Sequence, residues 1–172
     1  MALLIVVNKE YKDDGAVYEQ LFQYITRQDK AIQGLTGSQY LYPVNDATDI
    51  GNQMREVNLL NSSNGRALWH FILSFDHYNE YYITPRIAYY IGRNFLAFFD
   101  GHQVVYAVHE DTNNIHIHFM VNATDFYTGR KIENKRETFE SIAGLCQTII
   151  LDTEEGQKRL YCSVCYRTED DI

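Results

Sequence analysis

Residues 102–111, HQVVYAVHED, and 114–124, NIHIHFMVNAT, are two apolar runs separated only by Thr112 and Asn113. A link that short cannot carry the crossover that parallel strands need, so the two runs must pair antiparallel as a hairpin. A turn around Thr112–Asn113 makes residue numbers across the pair sum to 225, which sets His109 opposite His116. Directly opposite residues share a face, and side chains alternate along a strand. His109, His116 and His118 therefore gather on one side of the sheet, while Ile115, Ile117 and Phe119 take the other. Three neutral imidazoles with open coordination positions suit a catalytic divalent ion better than a structural zinc site, which wants four ligands. The competing reading is a set of surface histidines on the solvent face of a hairpin. We expect this face to be open to substrate. Asp111, two residues after His109, is positioned to orient an imidazole, although an aspartate opening a turn is also ordinary. Histidines 70, 77 and 102 lack this geometry and read as core or surface residues.

The rest of the chain supplies more strands and helices. ALLIVV (2–7) is a short continuous apolar run and predicts a buried strand. GAVYEQLFQYITRQDKAI (15–32) has helical spacing, and DATDIGNQMREVNLL (46–60) predicts a second helix behind an N-capping Asp or Thr. LWHFILSFD (68–76) is strand-like. ITPRIAYYIGRNFLAFFDG (83–101) predicts a helix with Thr84 as cap, Pro85 in its first turn and Gly101 as its stop. RETFESIAGLCQTIIL (136–151) predicts a fourth helix and RLYCSVCYR (159–167) a last strand. These elements predict an α+β fold: a central, largely antiparallel β-sheet with flanking helices, in one domain over residues 1–172.

Composition narrows the function. At 45% apolar residues with 14 Tyr and 9 Phe, the chain reads as globular. No apolar run is long enough to span a membrane and the N-terminus has no basic leader, so we expect no membrane association and a cytoplasmic protein. Three cysteines suit a reducing compartment; Cys162 and Cys165 form a CxxC without a second pair, which reads as strand rather than zinc knuckle. The net charge of −8 argues against sequence-blind coating of duplex DNA. A local basic groove remains open in GRKIENKR (129–136), where Arg130, Lys131, Lys135 and Arg136 are candidate nucleic-acid contacts. A solvated charged face is the other reading.

HEDTNNIHIHFMVN resembles the third motif of relaxases, the mobilisation nucleases of the HUH endonuclease superfamily that act on plasmids and integrative elements. Their pattern is a histidine, an acidic residue two positions on, His-x-His, and a strand ending in Val-Asn. WHFILSFD resembles the second motif with its Ser-Phe pair, here Ser74 and Phe75, and FYTGRKI resembles the Thr-Gly-basic stretch after the metal strand. LFQYITRQDK resembles the first motif, a helix with a tyrosine, an aliphatic residue and a nearby cation, and VNDATDIGNQM fits the segment between the first and second motifs. Order and spacing hold from about residue 15 to 135.

The resemblance implies an HUH endonuclease-like palm, with Tyr24 as nucleophile and His109, His116 and His118 holding Mg²⁺ or Mn²⁺. It implies that Ser74 touches DNA near the site. Asp111 is the candidate proton acceptor for the tyrosine. The implied activity is metal-dependent, strand-specific nicking and rejoining of single-stranded DNA at a transfer origin, through a 5′-phosphotyrosine. Implied partners are that DNA, relaxosome accessory proteins and a secretion-system coupling protein, with the protein acting as a monomer. Tyr24 also fits the helix's apolar stripe; Tyr18, and more distantly Tyr11, are its substitutes as nucleophile. Two other readings stay open: an HUH transposase or replication initiator, and a non-catalytic DNA-binding module derived from such a nuclease.

Overall fold

The computed structural model of the protein describes residues 2–42, 46–61, 64–76, 83–145, 150–153, 156–159 and 162–167. The N-terminal apolar run is strand β1, Ala2–Val7, followed by a two-residue strand β2, Tyr11–Lys12. Helix α1, Val17–Thr26, starts where the Asp14 carboxylate accepts the N–H groups of Ala16 and Val17 at 3.0 and 2.9 Å. It buries Val17, Tyr18, Leu21 and Ile25. Each buried aliphatic contributes about 2 kcal/mol, which stabilises a ten-residue helix that would be marginal alone.

The helical spacing extends to residue 32 in sequence, but the helix stops at Thr26. Arg27 turns out of it at ψ 132, and Ala31–Gln39 form strand β3 instead. Gly34 and Gly37 dilute the strand signal there, and β3 slips register against its neighbour between Ala31 and Thr36. Helix α2, Ala47–Leu60, is capped by Asp46, whose side chain accepts the Asp49 N–H at 2.8 Å. Strand β4, Arg66–Phe75, and helix α3, Pro85–Phe95, match their expected positions, with Thr84 accepting the Ile87 N–H. A 3₁₀ turn, Leu96–Phe99, continues α3 towards Gly101 at φ +80.

Strands β5, Val104–His109, and β6, His116–Asn122, form the anticipated hairpin. Helix α4, Arg136–Leu145, is shorter than the span 136–151. Ile150–Thr153 is strand β7, in keeping with the β-branched run TII that leads into it, and it pairs antiparallel with β8, Gly156–Arg159. Strand β9, Cys162–Arg167, contains the whole CxxC.

The main sheet has seven strands, ordered β3-β5-β6-β4-β1-β9 with β2 beside β4. The β1–β9 pair is parallel and the other pairs are antiparallel, so the fold is α+β with a largely antiparallel sheet. Helices cover both faces. On one side α3, the 3₁₀ turn and α4 bury Phe95, Phe99 and Phe139 against Phe71, Phe119 and Val121. On the other, α1 and α2 bury Leu21, Ile25, Ile50 and Met54 against Ile5, Ile72, Val105 and Met120. The three histidines emerge on this second face, at the end of the sheet where α1 terminates.

A buried polar knot holds α2 to the far end of β6. Asn58 Nδ2 donates to the Tyr18 hydroxyl and to Asn122 Oδ1, both at 2.9 Å. Asn122 Nδ2 donates to Met54 O and Gln103 Oε1, also at 2.9 Å. Asn122 is fully buried, so this satisfaction is what permits an amide there.

Candidate active site and metal centre

The β5–β6 ladder sets His109 directly opposite His116, as the sum of 225 requires. Strand β4 lies on the other side of β6 and brings Ile72 opposite His118 and Ser74 opposite His116. One ligand atom from each histidine lies within 4.8 Å of the others. The face is not open as expected: His109 is 1%, His116 9% and His118 3% exposed, because the end of α1 closes over them.

Each imidazole is tied back through one ring nitrogen. His109 Nε2 donates to Ile25 O at 2.6 Å, one of the carbonyls that the end of α1 leaves without a helical partner. His116 Nδ1 donates to Asn114 O at 2.9 Å. His118 Nδ1 lies 2.8 Å from Nε2 of His70. A neutral imidazole that donates from one nitrogen presents a bare lone pair on the other. The remaining nitrogens are His109 Nδ1, His116 Nε2 and His118 Nε2. His109 Nδ1 is buried with no hydrogen-bond partner, and leaving it so costs about 1–3 kcal/mol. A divalent cation at the centre of the trio satisfies it, so the donor set fits the ion. Burial pushes the pKa values of His109 and His118 below the usual histidine range and keeps both neutral, as ligation demands.

A cavity of about 360 Å³ opens onto the three histidines and is also lined by Tyr24, Lys30, Ser74 and Asp111. The Tyr24 ring stands edge-on to His118, 5.8 Å between centroids, and half-buried. Tyr18 belongs to the polar knot, and burial raises its phenol to about 12. The Tyr11 hydroxyl lies 3.1 Å from His70 Nδ1. Asp111 approaches the bare nitrogens, with Oδ1 3.5 Å from His116 Nε2 and 3.8 Å from His109 Nδ1. Its other oxygen pairs with Lys30 Nζ at 2.8 Å. Partial burial works against the Asp111 charge, but the Lys30 bond and field outweigh it and hold the carboxyl below its ordinary value.

The basic cluster lies elsewhere. Arg130, Lys131, Lys135 and Arg136 follow the Asn122 end of β6, six residues and about 20 Å from His116. Lys131 Nζ donates to the carbonyls of Asn64 and Arg66, and burial lowers its pKa. Lys135 pairs with Glu133 at 2.9 Å and Arg136 with Glu140 at 2.6 Å, while Arg130 is exposed. Among the described residues, Lys30 lines the cavity, and the Arg27 guanidinium lies 5.7 Å from the ring centre of Tyr24, which lines it too. His70 too was not visible as a site residue in the sequence. Its signal was parity: on β4 it shares a face with Ser74, four residues on. His102 Nδ1 bonds the Asn122 carbonyl, in keeping with a core or surface histidine, and His77 falls outside the described residues.

A family model described as relaxase, MobA/VirD2-like, nuclease domain, matches residues 24–154. The chain belongs to this relaxase family. The matched span takes in Tyr24, Ser74 and the three histidines, and so every residue around the cavity except those contributed by β1. A comparison with curated proteins gives no match. Among the described residues of the relaxase domain, no helix is long and apolar enough to cross a membrane.

Proposed function

We propose that the protein nicks and rejoins one strand of DNA at a transfer origin, with Tyr24 as the nucleophile. The observation that carries this reading is the shared cavity: Tyr24 lines the same space as the three histidines, whose ligand atoms lie within 4.8 Å of one another. A phosphodiester in that space lies between the phenol and His109, His116 and His118, the residues that would hold Mg²⁺ or Mn²⁺. When bound, such an ion supplies positive charge to the non-bridging oxygens.

The Tyr24 oxygen attacks phosphorus, the O–P bond forms, and the 3′ oxygen leaves with its bonding electrons and takes up a proton from solvent. The product is a 5′-phosphotyrosine and a free 3′ hydroxyl, and the retained ester energy lets the reaction reverse without ATP. A phenol has an ordinary pKa of about 10, so its proton must be taken as attack proceeds. Asp111 is the carboxylate at the cavity wall. Lys30 keeps it ionised and available, though as a weak base, and its closeness to His109 and His116 gives it an orienting role as well. Ser74 and the cations Arg27 and Lys30 border the path that a strand takes to the cavity. Arg130, Lys131, Lys135 and Arg136 form a more distant contact for the same strand. Relaxosome accessory proteins and a coupling protein are the partners this activity calls for.

The test is a labelled single strand carrying the cognate origin, incubated with Mn²⁺. An adduct should survive denaturing electrophoresis, and mass spectrometry should find the nucleotide on Tyr24. Tyr24→Phe should abolish it. Cleavage without any adduct would make water the nucleophile and end this reading.

A further inference from the structure

His70 has no part in the chemistry described above, yet it is 2% exposed and both ring nitrogens are engaged. Its Nε2 lies 2.8 Å from His118 Nδ1, and its Nδ1 lies 3.1 Å from the Tyr11 hydroxyl. The two imidazole rings stack at 27° with centroids 5.1 Å apart, and Tyr24 packs edge-on against both. We propose that His70, itself held by Tyr11, is a positioning residue that locks His118 into the tautomer and ring orientation required for metal ligation.

The logic is proton bookkeeping. Only one proton fits between two nitrogens 2.8 Å apart. If His118 Nδ1 holds it and donates to His70, His118 Nε2 is bare and free to ligate. If His70 Nε2 holds it, His118 must carry its own proton on Nε2 and cannot ligate. His70 takes the accepting role when its proton sits on Nδ1, where the Tyr11 oxygen receives it. Tyr11 stands on β2, the short strand paired with β4, so a two-residue element outside the histidine hairpin reaches His118 through two hydrogen bonds. Orienting partners of this kind typically change metal affinity by about 10–100-fold.

The inference rests on the metal reading of the trio, and the experiment separates the two. The first measurement needs no variant: long-range ¹H–¹⁵N correlation spectra of the metal-free protein should show His118 protonated at Nδ1 and bare at Nε2, with His70 protonated at Nδ1. His118 protonated at Nε2 would overturn the proposal even if every variant misfolded. The second measures Mn²⁺ affinity by calorimetry without DNA. His70→Phe should weaken binding at least tenfold, His70→Gln, whose carbonyl still accepts, should recover most of it, and Tyr11→Phe should fall between. Wild-type affinity in a folded His70→Phe protein, with binding lost in His118→Ala, would overturn the relay and leave the metal site standing. Wild-type affinity in His118→Ala would remove the metal reading itself.

Discussion

Lys30 Nζ and Asp111 Oδ2 meet at 2.8 Å, joining the residue just before β3 to a residue two positions past the end of β5. Lys30 is the main reason that Asp111 titrates below its ordinary value. Replacing Lys30 by Met removes that stabilisation of the charged form, so Asp111 protonates earlier as pH falls. The acid limb of the pH–nicking profile should move up by about half to one pH unit. A limb that stays in place would mean that Asp111 ionisation does not govern the reaction.

DNA binding offers a contrast between two groups of cations. Lys30 lines the cavity and Arg27 lies over Tyr24, paired with Asp111 and Asp29 respectively, whereas Lys131, Lys135 and Arg136 follow the far end of β6 with partners of their own. Neutralising Arg27 and Lys30 together should weaken single-strand affinity and reduce its salt slope by about 2, more than neutralising Arg130 and Arg136. Equal effects from the two double variants, measured by salt-dependent fluorescence anisotropy, would place the strand across both regions.

Gly92 should not tolerate a methyl group. A Cβ there would lie 2.7 Å from Tyr106 Cε2 and 2.8 Å from Cδ2, and Tyr106 is fixed on its other side by Gly37. Gly92→Ala overpacks a buried ring and should cost about 1–3 kcal/mol, a fall in Tm of roughly 3–10 °C. An unchanged thermal melt would show that the Tyr106 ring can move aside at the α3–sheet contact.

Asn122 ends the histidine strand but serves the fold. Asn122→Leu takes one acceptor from the Asn58 amide and the Asn122 donor from the Gln103 carbonyl, both in the core, and should destabilise the protein by about 1–3 kcal/mol in urea unfolding. The knot is six residues along β6 from His116, so Mn²⁺ affinity of the folded variant should match wild type. A parallel loss of metal binding would mean that the two ends of β6 are coupled.

Acid should weaken the metal-free protein before its carboxylates titrate. Burial is the leading reason that His70, His102, His109 and His118 all titrate below the ordinary histidine value of 6.5. The unfolded chain therefore binds more protons than the folded one below that value. Stability is full above about pH 6.5 and falls as pH drops, for His70 until about 3. The slope is roughly 1 kcal/mol per pH unit for each fully buried histidine. Adding Mn²⁺ at about 100 times its Kd should restore roughly 3 kcal/mol, and His116→Ala should abolish that gain. Urea midpoints that are flat between about pH 7 and 5 would contradict the first expectation.

Local sequence determined a great deal here. A link of only six residues between His109 and His116 forces an antiparallel hairpin, and strand alternation then leaves His109, His116 and His118 no choice but one face. Capping residues located the starts of α2 and α3 within a residue or two, because the Asp46 and Thr84 side chains answer backbone groups only three positions away. What lay beyond local reach depended on which strands become neighbours. β3 was hidden because glycines weaken its pattern, and β5 rather than its own composition holds it extended. With β3 came Lys30, and with the β4–β6 pairing came His70. The burial of the histidines belongs to the same class: α1 ends so that Ile25 O receives His109, a contact across 84 residues that no spacing rule reaches. Periodicity acts over a few residues and was legible; the second partners of the imidazoles are set by packing, and only the tertiary structure decided them.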